Sequence, residues 1–244
     1  MSGIARRIVL RLDPRLARDG ATLATATRIA RAFNAELAAR LVSDTRFAGA
    51  LTAPAGSARP KGGEEFKIGV LVRRAEASFR RTVSAIAHHE QTAWSFAVVE
   101  CAGVLSECGA VEPDDLIALD IGRMEGSAGD LRREVETALA RARGALLFPS
   151  EAHLRSGPIV VITRAASQSL IEMAERIASA LDAPLLPLRR TDEMRTAADI
   201  AVAIRRRGAA LAVIDALCDL AQEFVARPRF LRELDTPLLL LKTS

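Results

Sequence analysis

A glycine-containing stretch near the middle of the chain has the residue types of a phosphate-binding site. The residues "EGSAGDLRREVETALARARG" (125–144) follow the apolar run "LIALD" (116–120). A glycine turn that leads from a strand into a helix presents backbone N–H groups at the positive end of the helix dipole, and such a site attracts phosphate. The candidate phosphate ligands here are Gly126, Ser127, Gly129 and Arg132.

The same residues also have the pattern of a helix N-terminus. Ser127 and Asp130 have the S-x-x-D spacing of a capping box, in which the two side chains occupy the backbone N–H groups that a phosphate would need. Asp130 would also place negative charge beside the phosphate, and the two arginines that follow are offset by two glutamates. We favour the helix start over the phosphate site, and both interpretations stay open.

The surrounding sequence predicts the elements that would position this loop. Apolar runs without polar alternation (8–10, 116–120 and 159–162) are separated by amphipathic stretches, which is typical of a mostly parallel sheet with helices on both faces. One helical stripe has apolar residues at the spacing i, i+3, i+4, i+7, i+11, namely Leu170, Met173, Ala174, Ile177 and Leu181.

The chain contains an internal repeat. "RIARAFNAEL" (28–37) recurs as "RIASALDAPL" (176–185), "LIALD" recurs as "LAVID" (211–215), and the final strand "ALLFPS" (145–150) recurs as "PLLLLKTS" (237–244). We therefore predict two tandem α/β domains, 1–150 and 151–244, with the boundary in "SEAHLRSGP". The apolar final strands favour pairing between the halves or between chains.

The second copy is shorter than the first. The step from the repeated helix to the repeated strand is 88 residues in the first copy and 35 in the second. The additional residues hold a loop (44–64), a helix near 74–90, the strand "WSFAVVE" (94–100) and the ambiguous "FKIGVLV" (66–72), which fits a strand or a helix start. We infer that the second copy lacks one helix–strand unit.

A missing third strand would leave strand two of the second copy at the sheet edge in a doubly wound order. The sequence of that strand, "PLLPLRR" (184–190), contains two prolines. Proline cannot donate a backbone hydrogen bond and is confined mainly to edge strands and strand starts. The prolines therefore agree with the edge position.

Together these patterns resemble the universal stress protein family, in the form of a tandem with two such domains in one chain. The resemblance rests on a first strand that ends at Asp13, the helix end "RIARAFNAEL", the strand "DDLIALD" and the final strand "TPLLLLK". It implies a Rossmann-like doubly wound fold, an intramolecular pseudo-dimer or a homodimer, and stress-linked binding or signalling. One branch of the family binds ATP.

The resemblance also shows where the ATP-binding pattern breaks. That branch has two glycines three residues apart after the fourth strand, followed nine residues later by Gly-Ser or Gly-Thr. Gly126 and Gly129 match the first part, but Leu139 and Ala140 stand at the second. The family acid that contacts adenosine corresponds to Asp13, which could equally just end the strand. The second copy has Thr163-Arg164 there and no glycine loop after its fourth strand.

Composition excludes several other functions. The three cysteines (Cys101, Cys108 and Cys218) have no disulfide or metal spacing, and adjacent His88 and His89 cannot easily share one ion on a helix. The net charge of +4 is dispersed among acids and there is no tyrosine, so nucleic acid is not the expected partner. No apolar run has the roughly 18 residues that span a membrane, so the expected location is the cytoplasm.

The sequence thus predicts a non-catalytic module of the universal stress type that has no cofactor, has largely lost ATP binding, and binds a protein partner or an unidentified small ligand. In the alternative, the first domain still binds ATP, ADP or AMP through Asp13, Gly126, Ser127, Gly129 and Arg132. No catalytic or metal-binding residue is predicted.

Overall fold

The structure is a computed structural model of the 244-residue chain. It describes residues 5–12, 20–43, 62–100, 111–121, 128–149, 156–163, 168–189, 196–227, 230–231 and 234–243, with only the backbone given at 43, 62–72, 75, 100 and 128–130.

Nine strands and six helices follow one another along these residues. The strands are β1 (Arg7–Leu12), β2 (Glu36–Ser43), β3 (Trp94–Glu100), β4 (Leu116–Asp120), β5 (Gly144–Phe148), β6 (Ile159–Thr163), β7 (Leu185–Arg189), β8 (Leu211–Asp215) and β9 (Leu238–Leu241). The helices are α1 (Gly20–Phe33), α2 (Gly62–His89), α3 (Ala128–Arg141), α4 (Gln168–Ala180), α5 (Ala197–Arg206) and α6 (Asp219–Ala226).

All nine strands form one sheet in the order β3-β2-β1-β4-β5-β9-β8-β6-β7. Every neighbouring pair is parallel except β5 and β9, which are antiparallel. The predicted α/β class with a doubly wound, mostly parallel arrangement is confirmed. The final strands of the two halves pair with each other, so the halves share a continuous sheet instead of forming two separate sheets.

Helices cover both faces of the sheet. On one face α1, α2 and α4 contribute Phe33, Val83 and Ile177 to a buried cluster, and on the other α3, α5 and α6 contribute Val135, Ile204 and Phe224. The stripe predicted for α4 is confirmed, because Leu170, Met173, Ala174 and Ile177 are buried and Leu181 packs against the same cluster. The central strands are buried on both sides, which explains why they lack polar alternation.

Four helices end in the same way. Asn34, Gln91, Asp182 and Gly208 follow α1, α2, α4 and α5 with φ between 50° and 59°. At each end, the N–H of the residue after the left-handed one donates to a carbonyl five residues earlier, as in the bond from Ala35 to Ala30. This is the Schellman arrangement, and Gly208, which directly follows the arginine run 205–207, is the one glycine among the four residues.

Gln91 is the one of these four residues that is least suited to its backbone conformation. A left-handed residue other than glycine costs about 1 kcal/mol, less for Asn and Asp. We expect Gln91→Gly to raise the free energy of unfolding by up to about 1 kcal/mol, measured by urea denaturation. Gly208→Ala is the opposite change at the equivalent position of α5, and it should lower the free energy of unfolding by a similar amount. If both variants changed the free energy of unfolding in the same direction, this explanation would be wrong.

The ambiguous segment "FKIGVLV" is helical. It lies within α2, which starts at Gly62, so the end of the predicted 44–64 loop is the first turn of a 28-residue helix. Over so few residues, the alternation of Phe66, Ile68 and Val70 is compatible with the period of a strand and with the period of a helix. The segment is helical because it belongs to an element of 28 residues, a length typical of helices and not of strands. The remainder of that loop lies outside the described residues.

Among the strands that the structure describes, the second half of the sheet has no counterpart of β3, and β7 lies at the edge. The edge position that its prolines predicted is confirmed. Within the described residues, no helix combines the length and apolar character needed to cross a membrane.

Candidate functional site

The carboxyl ends of β1 and β4 lie at the topological switch point of the first half of the sheet, called here the first crevice, where doubly wound folds bind ligands. These two strands are parallel neighbours, with Leu10 paired to Ala118. The helix after β1 covers one face of the sheet, and the helix after β4 covers the other. In doubly wound folds, strand ends in this arrangement, here Leu12 and Asp120, border the place where ligands bind.

Two polar side chains meet at this crevice. Asp120 ends β4, and its Oδ2 accepts a hydrogen bond of 3.3 Å from the Thr22 hydroxyl in the first turn of α1. Both residues are partly buried. A partly buried carboxylate next to a hydroxyl can bind a hydroxyl, amine or amide group of a ligand. The sequence analysis did not select either residue, although an acid at the end of an apolar run is a usable signal.

The structure locates only part of the predicted nucleotide site. Asp13, Gly126 and Ser127 lie outside the described residues. Gly129 lies in the first turn of α3, which starts at Ala128, directly after the residue predicted to cap it. The capping bonds themselves lie outside the described side chains.

Arg132 is described in full, and its side chain is paired within its own helix. Its side chain is 53% exposed, and its Nε donates to Oε1 of Glu136 at 2.7 Å, one helical turn further along α3. A phosphate would have to compete with this carboxylate for the same guanidinium group. Arg132 therefore lies on α3, as the predicted site requires, but its positive charge is paired with Glu136 of the same helix.

A buried ion pair lies behind the crevice. Arg11 of β1 contacts Glu134 of α3 at 3.2 Å between Nη1 and Oε2, and the Glu134 side chain is only 4% exposed. The pair ties α3 to β1 on the sheet face opposite α1. Neither residue was predicted to interact with the other, because their separation of more than a hundred residues leaves no local signal.

The equivalent position in the second half is closed by internal hydrogen bonds. Asp215 ends β8, and its two carboxylate oxygens accept from the Leu217 N–H at 2.9 Å and from the Thr243 hydroxyl at 2.7 Å. Three residues connect β8 to α6, whereas seven connect β4 to α3. The repeat places the buried Leu170 where α1 has Thr22. The features of the first crevice are thus replaced by a tight turn and an apolar side chain.

Cys218 lies in this tight turn, directly before α6. Burial raises the pKa of its thiol above the ordinary value, and backbone N–H groups of α6 oppose this effect only in part. The thiol therefore stays protonated near neutral pH and is a poor nucleophile. Cys218 forms no disulfide, and Cys101 and Cys108 lie outside the described residues.

The described residues contain no group of three His, Cys, Asp or Glu side chains that could hold a metal ion. His88 and His89 are exposed at the end of α2.

Comparison with known proteins supports the fold. No protein-family model matches the sequence, and a search of curated proteins finds no match. Among solved structures, the chain is similar to a universal stress protein from Archaeoglobus fulgidus DSM 4304, with a TM-score of 0.56 and 10% sequence identity. The similarity covers 97% of this chain and 96% of that chain, so it includes both halves of the sheet.

Proposed function

We propose that the chain is a non-catalytic binding module of the universal stress type, formed by a complete domain (1–150) and a second domain (151–244) that lacks one helix–strand unit. The strand order supports this division, because β7-β6-β8-β9 repeats β2-β1-β4-β5. The helices that carry the repeated sequence also end alike, at Asn34 and Asp182. In this proposal the antiparallel pairing of β5 with β9 joins the two domains as an intramolecular pseudo-dimer.

The hydrogen bonding of Asp215 carries the functional part of the proposal. Both oxygens of this carboxylate are bonded within their own half, and the short turn to α6 leaves no glycine loop. We infer that the second domain binds no nucleotide and acts as a structural counterpart of the first. Any ligand then binds at the crevice of the first domain.

In the first domain, we propose that the crevice binds a small ligand or a segment of a protein partner in the cytoplasm, and that ATP binding is largely lost. The contact between Arg132 and Glu136 supports this, since a phosphate would have to compete with the Glu136 carboxylate for this guanidinium group. A second candidate function is binding of an adenine nucleotide at this one crevice. The polar pair of Thr22 and Asp120 favours it, because these groups can bind the hydroxyl or amino groups of a nucleoside.

Calorimetric titration with ATP, ADP and AMP distinguishes the two candidates. We expect no binding heat, and we expect no nucleotide in the supernatant when protein purified without added nucleotide is denatured and examined by mass spectrometry. Micromolar binding that is abolished by Gly126→Val combined with Asp13→Ala would contradict the loss of ATP binding and establish the second candidate.

Two matched variants test the position of any such site. If a nucleotide binds, Asp120→Asn at the first crevice should weaken it, whereas Asp215→Asn at the equivalent strand end should not. Equal weakening by both variants would contradict the assignment of binding to the first domain.

A further inference from the structure

The nine-stranded sheet has two outer edges, β3 and β7, because the final strands of both halves are paired with each other. An outer edge presents a row of backbone N–H and C=O groups that can pair with another strand. The two edges differ in how they are protected.

The β7 edge is interrupted by proline. The Ile159 N–H donates to the Pro184 carbonyl. Along a parallel pair, the backbone groups of every second residue point toward the neighbouring strand. The backbone groups of Leu186 and Leu188 therefore face β6, and those of Pro187 face outward. Pro187 has no N–H to offer at the middle of the outward row. A strand that paired along β7 would therefore have a backbone carbonyl opposite Pro187 that receives no hydrogen bond.

The β3 edge has no such interruption. The Leu37 N–H donates to the Ala93 carbonyl at 2.8 Å, so the same alternation directs Ser95, Ala97 and Val99 toward β2 and leaves the backbone groups of Trp94, Phe96, Val98 and Glu100 on the outward side. In the part of the chain that is described, nothing pairs with this outward row. Val98 is also 38% exposed, which is unusual for a large apolar side chain here.

The strand is complementary to itself in the antiparallel direction. With Ala97 on a twofold axis, Phe96 of one copy lies opposite Val98 of the other, and Trp94 lies opposite Glu100, so all outward positions of the seven-residue strand are in register. Arg80 of α2 lies over the Phe96 ring, 5.3 Å from its centre, and holds this ring in place on its face of the sheet. Aromatic and β-branched residues opposite each other stabilise an antiparallel pair.

We propose that two copies of this chain associate through β3, as an antiparallel pair centred on Ala97 that joins two nine-stranded sheets. The occupant of the edge is a second copy, because the sequence of the strand supplies its own partners: Phe96 and Val98 lie opposite each other twice across the axis. This inference is independent of which ligand the crevice binds.

Sedimentation velocity over a range of concentrations tests the association. We expect wild-type protein to dimerise, and Val98→Pro to weaken the dimer at least tenfold, because it removes an outward N–H as Pro187 does on β7. At dilutions where both proteins are monomeric, the two melting temperatures should be equal. Val98→Lys, which places a charge at the same edge position, should have the same effect without a change in the backbone. Ala97→Pro is the matched control, and it should destabilise the fold itself because it removes an N–H that faces β2.

Cysteine cross-linking tests the register. In a background in which Cys101, Cys108 and Cys218 are replaced by serine, Ala97→Cys should form a disulfide-linked dimer on mild oxidation, since the two copies of residue 97 are a close, non-hydrogen-bonded pair. Ser95→Cys should not, because residue 95 lies opposite residue 99. Each of three outcomes would overturn the proposal: a monomer at all concentrations, a dimer that resists both Val98 variants, or a monomer whose β3 pairs only with a strand of a different protein.

Discussion

Substituting Gly144 by alanine should destabilise the protein by about 3 kcal/mol, since forcing atoms into a packed interior costs that much when the backbone itself must move. Gly144 starts β5 and pairs with Leu241 of β9. An added Cβ would overlap the Leu240 carbonyl oxygen and lie 2.9 Å from Cδ2 of Leu116. The carbonyl belongs to the ladder and cannot rotate away, so the β5–β9 junction must open.

Urea unfolding followed by circular dichroism measures this loss. Gly20→Ala is the matched control, because the nearest atom to its added Cβ is Cδ1 of Ile86 at 4.0 Å, and we expect it to change stability by no more than about 0.5 kcal/mol. If Gly144→Ala opens only the junction, the two halves should also unfold in separate steps. Wild-type stability for Gly144→Ala would show that β5 and β9 are not in close contact.

Replacing Asp115 by alanine should cost about 3 to 5 kcal/mol, as expected when one partner of a buried ion pair is removed. The Asp115 side chain is fully buried. It accepts from Arg7 Nε at 3.0 Å and Nη2 at 2.6 Å, and from the Glu112 N–H at 2.7 Å. This hydrogen bonding also raises the pKa of Arg7, so the guanidinium remains charged and would be left without its main partner.

Glu112 provides the control for Asp115. It contacts the same Arg7 guanidinium at 3.0 Å, but its side chain is 48% exposed, so Glu112→Ala should cost about 1 kcal/mol or less. Replacing Arg7 and Asp115 together by leucine should recover much of the loss, because no unpaired charge then remains buried. Equal costs for Asp115→Ala and Glu112→Ala, from thermal and urea unfolding, would contradict the role given to burial.

Local patterns were sufficient to predict the class of the fold and the apolar stripe of α4. They did not predict the left-handed residue Gln91, because glutamine has no preference for that conformation and the hydrogen bonds of the helix end impose it. They also left open which strands the final apolar runs would pair with. A lone glycine at the start of β5 was a signal of close backbone approach, but its partner strand lies 97 residues further on.

The candidate site was predicted less completely, for the same reason. The sequence analysis concentrated on residues near the glycine loop, where spacing along one segment carries information. The contacts that shape the crevice join distant segments, such as Thr22 with Asp120 and Arg11 with Glu134. The closure of the second crevice depends on Thr243, whose role follows from β9 lying beside β8 and not from any motif.

The central position of β5 also has a consequence for how the chain folds during synthesis. β5 can pair with β4 as soon as residue 148 is available, but its other neighbour, β9, ends at Leu241. At a translation rate of roughly 5 to 20 residues per second, a nascent first half would present "GALLF" as an open edge for about 5 to 20 seconds. During synthesis, β5 is therefore the strand most exposed to aggregation, although in the finished sheet it connects the two halves. Its edge is covered only when β9, the last strand, has been made.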